Sequence, residues 1–183
     1  KAEHRGLYQR AFDYYLKAAE HGELDKAQYK VGEYYYAFCK GEGKIDFNLT
    51  IEEGISNAIS YYEMAANQGN VNAQIDLYEI FYAGEYVEEN DKEAFKWIKM
   101  AAQQGNAEAE CSIAHAYEFG TGVEADYEEA VKWYEKAAEQ GCKEAIRELG
   151  FAYRTGDLHL CPSDEKSFYY YMEAAKQGDA FSQ

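Results

Sequence analysis

The sequence predicts an all-α fold, a right-handed αα-superhelix with no β-sheet, and three observations support this prediction. The motif Ala-Ala-x-x-Gly occurs five times, and successive copies begin 47, 36, 36 and 37 residues apart. Apolar residues around each copy follow helical spacing. The 183-residue chain has only one proline, and its Val and Ile residues form no strand-like runs. A period near 36 residues that holds two helices is typical of an αα-solenoid.

One helix of each repeat ends at the Ala-Ala pair. A small residue lies seven positions before the first Ala, and large side chains, mostly aromatic, lie four and three positions before it, as with Ala130, Trp133 and Tyr134. These spacings place the side chains on one helical face, which we expect to be buried. The pattern predicts helices near residues 7–20, 55–67, 91–103, 127–139 and 164–177.

A second helical pattern follows the Gly of each of the first four Ala-Ala-x-x-Gly motifs. A small residue is followed by an aliphatic residue four positions later and an aromatic residue eight positions later, as in Ala109, Ile113 and Tyr117. Small residues allow neighbouring helices to approach closely, and the rings fill the space beside them. This pattern predicts helices near residues 25–38, 71–83, 107–119 and 143–155.

Turn residues separate the two helices of each repeat. Gly120 and Gly122 end one helix, and Asp126 stands at the N-cap of the next with Glu129 at its third position. The first repeat has ten more residues between its two helices than the third repeat. We therefore predict a loop insertion at residues 40–54 that projects from the solenoid. The insertion either carries partner contacts or is neutral.

The segment from Tyr117 to Gly141 resembles the Sel1-like repeat, a relative of the tetratricopeptide fold, at almost every position of the motif. Looser copies extend from about Leu7 to Gln183. The resemblance implies one solenoid of about four to five repeats over residues 1–183, acting as a non-catalytic scaffold for a peptide or protein. The chain begins with Lys1 rather than Met, so we expect it to be a piece of a longer protein.

The resemblance also implies that the helices that follow each Ala-Ala-x-x-Gly motif line a concave groove. Glu33, Glu79 and Glu118 there would favour a basic segment. Arg147 and Arg154 would hold an acidic group, or would instead pair with local acids such as Glu144 and Glu148. The predicted partner-binding groove consists of Lys26, Tyr29, Glu33, Tyr36, Asn72, Ile75, Glu79, Tyr82, Glu108, His115, Glu118, Arg147, Phe151 and Arg154.

Charge narrows the range of partners. Thirty-four acidic and eighteen basic residues give a formal net charge of −16. This charge repels nucleic acid and anionic bilayers, so we expect neither as a partner, and we expect no membrane insertion. The same charge favours basic protein surfaces, although it also serves solubility.

No motif predicts a cofactor or a metal. Gly120-Thr121-Gly122 matches part of a dinucleotide fingerprint but follows a helix rather than a strand. Cys111, His115 and Glu118 share a helical face, but no second cluster completes a metal site.

The four cysteines, which include no CxxC pair, are expected to be free thiols in a reducing compartment, which favours the cytoplasm slightly. Cysteine-rich Sel1-like proteins link adjacent helices through disulfides. Their cysteine positions correspond here to Ala102 and Glu110, so the resemblance implies no disulfide.

Two alternatives to a binding scaffold stay open. The first is a hydrolase that uses groove carboxylates with His115, although an open solenoid rarely provides the compact pocket that catalysis requires. The second is a structural segment that spaces or dimerises other parts of a longer chain through self-association.

Overall fold

The computed structural model describes residues 2–20, 24–45, 47–176 and 178, with side chains from residue 6 onward. These residues form nine α-helices and no strand, which confirms the all-α prediction. A short 3-10 turn, Asp157–His159, precedes the last helix. The helices are α1 Ala2–Glu20, α2 Asp25–Cys39, α3 Ile51–Asn67, α4 Val71–Ala83, α5 Asp91–Gln103, α6 Ala107–Phe119, α7 Tyr127–Glu139, α8 Lys143–Thr155 and α9 Asp164–Lys176.

The chain folds into two compact units, Lys1–Asn90 and Asp91–Gln183. Unit 1 contains α1 to α4, and unit 2 contains α5 to α9. Each Ala-Ala pair has at least one buried residue, and Ala65, Ala66, Ala101 and Ala102 are at most 1% exposed. The Ala-Ala motif therefore lies on the packed face of its helix.

The core of unit 1 is rich in aromatic rings. Phe12 of α1 meets Tyr35 of α2 edge-to-face at a ring-centroid distance of 5.5 Å. Gly32 of α2 lies directly against the ring of Tyr62, where a Cβ atom would come within 2.6 Å of the ring. The absence of a side chain at Gly32 thus lets the large Tyr62 ring fill the space between α2 and α3.

The insertion in unit 1 is shorter and more closely packed than the sequence predicts. The helix α3 begins at Ile51 because Thr50 and Glu53 form a capping box, in which each side chain bonds to the other's backbone N–H. Ile45 is only 7% exposed, and the ring of Phe47 lies 4.7 Å from that of Tyr35. The segment before α3 therefore packs against the core and does not project freely.

In unit 2 the turn residues act as predicted at both ends of the helices. Asp126 caps α7 by accepting a hydrogen bond from the Glu129 N–H, and Gly120 ends α6 in the left-handed conformation. Tyr134 is fully buried at the centre of this unit. The hydroxyl of Ser167 in α9 donates to the carbonyl of Gly150 in α8 at 3.0 Å, which fixes the last helix pair.

In each unit a buried polar side chain bonds to a glutamine at a helix C-cap, a contact that was not predicted. In unit 1 the Gln68 amide donates to Gln28 at 2.5 Å, and in unit 2 the Gln140 amide donates to Glu110 at 2.6 Å. Gln28 and Glu110 follow the small residue that begins each buried stripe, and they are 1% and 5% exposed. The pairs join α2 and α6 to the C-terminal ends of the helices that follow them, α3 and α7.

We expect Gln140→Ala to lower the free energy of unfolding by about 1–3 kcal/mol, because it leaves the buried Glu110 carboxylate without this donor. Denaturant unfolding followed by tryptophan fluorescence measures the loss, since both tryptophans lie in unit 2. Gln103→Ala, at an exposed position, is the control. The double variant with Glu110→Ile should recover stability, because Ile146 occupies the equivalent position of α8. Equal losses in the single and double variants would contradict this explanation.

Candidate functional site

A partly buried carboxylate, Asp76, lies among tyrosine side chains in unit 1. The Asp76 carboxylate of α4 interacts with the hydroxyl groups of Tyr29 in α2 and Tyr62 in α3. Three helices thus contribute to one polar cluster. Tyr62 is only 1% exposed, whereas Tyr29 and Asp76 are partly accessible.

Further tyrosine rings extend this cluster. Tyr29 and Tyr62 have ring centroids 5.7 Å apart. Tyr36, two helical turns further along α2, meets Tyr62 at 6.2 Å and Tyr86 at 6.0 Å, both edge-to-face. Such offset and edge-to-face contacts stabilise aromatic clusters beyond the area they bury. The rings of Tyr29, Tyr36, Tyr62 and Tyr86 therefore form one connected aromatic cluster beside Asp76.

Burial and neighbouring acids shift the ionisation of the cluster. Burial raises the pKa of Asp76 to about 6, with Glu79 and Glu33 contributing, although the Tyr29 and Tyr62 hydrogen bonds act in the opposite direction. Burial, followed by Asp76, also raises the pKa of Tyr29 and of Tyr62, so both rings remain hydrogen-bond donors at neutral pH. Asp76 is mostly charged at pH 7, and its charge is only partly solvated.

The structure brings together several of the predicted groove residues of unit 1. Tyr29, Glu33 and Tyr36 of α2 and Glu79 of α4 surround Asp76 or its tyrosine partners. Glu33 also pairs with Lys30 at 2.6 Å. The other predicted residues lie outside this cluster, and most of them are exposed: Lys26, Asn72, Ile75 and Tyr82.

Asp76, Tyr62 and Tyr86 were missed as site residues. The aromatic stripe of α3 placed Tyr62 in the core, where its ring does lie, but did not show that its hydroxyl reaches α4. Asp76 carries one signal in the sequence, because it stands between Ile75 and Leu77 in a helix whose other residues are mainly apolar. An acid in that position is unusual unless it has buried partners or a ligand.

In unit 2 the residues considered as metal ligands have separate partners. Glu118 accepts a hydrogen bond from the Tyr134 hydroxyl at 2.6 Å, and His115 packs edge-to-face on the Tyr134 ring at 5.4 Å. Cys111 instead contacts Cys142. Among the described residues, no group of three or more His, Cys, Asp or Glu is arranged to hold a metal ion.

The remaining predicted residues of unit 2 are mostly engaged with neighbours on the same helix. Arg147 lies 3.2 Å from Glu148 and 3.8 Å from Glu144, so its charge is locally paired. The Arg154 guanidinium stacks over Phe151 at 5.3 Å and over Tyr171 of α9 at 5.8 Å. Glu108 is exposed in the first turn of α6.

An acidic cleft that the sequence did not predict lies between α7 and α9 in unit 2. Its volume is about 490 Å³. Three carboxylates and two tyrosines line it, together with Ala138, Gly141 and Ile146: Glu135, Glu139, Glu173, Tyr169 and Tyr170. Burial, followed by Glu135, raises the pKa of Tyr170 to about 12. Unit 2 thus also combines tyrosine rings with acidic groups.

Comparison with known proteins agrees with the repeat assignment. The Sel1 repeat profile matches residues 7–23, 25–70, 73–106, 107–142 and 143–179. A protective antigen of uropathogenic Escherichia coli that displays an SLR fold is 31% identical, with a TM-score of 0.77 over 93% of this chain. A Sel1 repeat protein from Oxalobacter formigenes is 30% identical, with a TM-score of 0.71 over 93% of this chain.

The chain spans 34% of the E. coli protein and 63% of the O. formigenes protein. Cysteine rich protein B of Helicobacter pylori is 17% identical, with a TM-score of 0.55 over 73% of this chain and 95% of its own, and shares the fold. No curated protein matches the sequence. Within the described residues, no helix combines the length and apolar character needed to traverse a bilayer. Because the Sel1 profile covers five consecutive segments and most of the sequence, the chain belongs to the Sel1 repeat family.

Proposed function

We propose that the chain is a non-catalytic scaffold that binds a basic segment of a partner protein on the Asp76 face of unit 1. This face is defined by Tyr29, Glu33, Tyr36, Asp76 and Glu79. Sel1 repeat proteins generally mediate protein–protein interactions. The observation that supports the basic partner is the Asp76 carboxylate, partly buried among tyrosine rings and close to two further acids.

A lysine or arginine side chain fits this environment for two physical reasons. A positive charge beside Asp76 would offset the cost of keeping that carboxylate ionised in a partly desolvated site. Tyrosine rings also attract cations through their π-faces. The chain already shows this contact, since the Lys40 ammonium group lies 5.1 Å from the centre of the Tyr36 ring. Displacement of Lys40 by a partner's cation would retain that interaction.

In unit 2 we propose Arg154 as a contact for an acidic group of the partner. Phe151 and Tyr171 hold its guanidinium by stacking, whereas Arg147 is paired with Glu144 and Glu148. A stacked guanidinium keeps its five N–H donors in a fixed plane, which suits a carboxylate.

The hydrolase hypothesis gains no support from the described geometry. Its base, His115, packs between the rings of Tyr134 and Phe119, and Glu118 is occupied by the Tyr134 hydroxyl. Turnover assays on the wild type and His115→Ala distinguish it from a scaffold. Sedimentation tests the remaining alternative, self-association.

We expect Glu79→Lys and Tyr36→Ala each to weaken binding of a fluorescent Lys/Arg-rich peptide by about tenfold, which corresponds to about 1.4 kcal/mol. Fluorescence anisotropy at roughly 0.15 M salt measures this, because screening at that ionic strength suppresses long-range attraction to the net charge. A peptide with Glu in place of each basic residue should not bind.

Glu124→Lys is the matched control, since it makes the same charge change at an exposed loop position of unit 2. It should leave the affinity nearly unchanged. If Glu124→Lys weakens binding as much as Glu79→Lys does, attraction comes from overall charge, and the Asp76 face is not the binding surface.

A further inference from the structure

Two cysteines that are 31 positions apart in the sequence meet in unit 2. Cys111 lies on α6, and Cys142 is the N-cap residue of α8. The Cys111 and Cys142 side chains interact with each other, and both pack in the same apolar cluster around Tyr134. Both are reduced in this structure. The fold therefore places two thiols in direct contact.

The two thiols differ in their exposure and their electrostatic environment. Cys111 is 2% exposed, whereas Cys142 is partly accessible to solvent. The interaction with Cys111 lowers the pKa of Cys142, and the amides of Ala145 and Glu144 in the first turn of α8 act in the same direction. Burial and the Glu144 carboxylate oppose this shift. Cys142 is thus the more accessible and more acidic thiol, and Cys111 is the buried thiol beside it.

The other cysteines do not share this arrangement. Cys39 is buried in unit 1, where its thiol donates to the Ile51 carbonyl at 3.6 Å, and burial raises its pKa. Cys161 is exposed beside Pro162. Cysteine positions that link helices in cysteine-rich Sel1-like proteins correspond to Ala102 and Glu110, so the Cys111–Cys142 contact is a different one.

We propose that Cys111 and Cys142 form an oxidation site in which Cys142 reacts with hydrogen peroxide and Cys111 resolves the product to a disulfide. The Cys142 thiolate attacks one peroxide oxygen, the O–O bond breaks, and the released hydroxide takes a proton to become water. The Cys142 sulfenic acid is then attacked by the Cys111 sulfur, the S–O bond breaks, and a second water leaves with the Cys111 proton. Two thiols lose two electrons and two protons, and the peroxide is reduced to two waters.

The disulfide would connect α6 covalently to the first turn of α8. Cys111 occupies the same helix as His115 and Glu118, so the bond would fix the position of these side chains relative to α8. Oxidation is therefore expected to restrict the motion of this part of unit 2 without requiring a new fold. A cellular thiol reductant would reverse it by thiol–disulfide exchange.

The experiment treats the reduced protein with stoichiometric hydrogen peroxide, alkylates the remaining thiols and maps the cysteines by mass spectrometry. We expect one intramolecular Cys111–Cys142 disulfide, two alkylated residues at Cys39 and Cys161, and reversal by dithiothreitol. In Cys111→Ser, dimedone should label a Cys142 sulfenic acid. Without peroxide, Cys142 should react with a neutral disulfide reagent at pH 6.5 several times faster than free cysteine does.

Cys142→Ser should abolish the disulfide while retaining the fold, because serine is a favourable N-cap residue. Circular dichroism checks the fold of each variant. Cys161→Ser and Cys39→Ser are controls in which the disulfide should form as in the wild type. Four alkylated thiols after peroxide treatment, or a bond from Cys142 to Cys161, would overturn the proposal.

Discussion

Gly122→Ala is expected to lower the free energy of unfolding of unit 2 by roughly 2–5 kcal/mol, and two effects add to this loss. Gly122 has a φ of 71°, where a residue with a Cβ atom is strained by about 1–2 kcal/mol. A Cβ atom there would also collide with the Asp91 carbonyl oxygen at the start of α5. Displacing packed backbone costs about 1–3 kcal/mol or more.

Gly105→Ala separates the two effects. Gly105 has a φ of 81°, but a Cβ atom at that position would meet nothing within 4 Å. This variant should therefore lose only the conformational strain, about 1 kcal/mol. Tryptophan fluorescence during urea unfolding reports on unit 2 for both variants. Equal losses would mean that the contact with Asp91 does not restrict residue 122.

The helices were predictable because each has a repeated local signal. Ala-Ala-x-x-Gly, the aromatic stripe and the cap at Asp126 depend on residues within about two turns of one another. The start of α3 was predicted too late because the capping box of Thr50 and Glu53 lies in the insertion, outside the repeat pattern. A search for capping boxes beyond the repeat register would have found it.

The polar contacts were not predictable from spacing because their partners are distant in sequence. Asp76 interacts with residues of two other helices, and Cys111 of α6 meets Cys142 at the start of α8. Helical periodicity places a residue on a face, but it does not say which side chain of another helix lies opposite. Two of these residues did carry local signals. Asp76 is an acid within a mainly apolar helix, and Cys142 stands at an N-cap position where α4 and α6 have Asn.

Asp76→Asn is expected to stabilise unit 1 and to weaken partner binding. The pKa of Asp76 is about 6 in the folded chain, above the ordinary aspartate value of 3.8, so the folded state prefers the protonated carboxyl group. The contribution of Asp76 to stability is therefore highest below about pH 4 and falls as the pH rises to about 6. Above pH 6, Asn should increase the free energy of unfolding by roughly 2 kcal/mol, since it carries no charge to desolvate.

Urea unfolding at pH 4, 5, 6 and 7.5, followed by far-UV circular dichroism, measures the difference between the variant and the wild type. Other carboxylates titrate in both proteins, so the difference isolates Asp76. We expect it to be near zero at pH 4 and to grow up to pH 6. Glu124→Gln removes the same charge from an exposed loop and should show no such dependence.

The same variant connects stability with the proposed function. If Asp76 remains charged in order to hold a partner's cation, Asp76→Asn should weaken binding of the Lys/Arg-rich peptide by about tenfold at pH 7.5. Wild-type affinity should also fall as the pH decreases from 7 to 5, because protonation of Asp76 removes the charge, while the affinity of the variant should change less. A variant that is more stable but binds equally well would show that Asp76 is not part of the binding surface. A less stable variant would show instead that the carboxylate is needed to hold Tyr29 and Tyr62 in place.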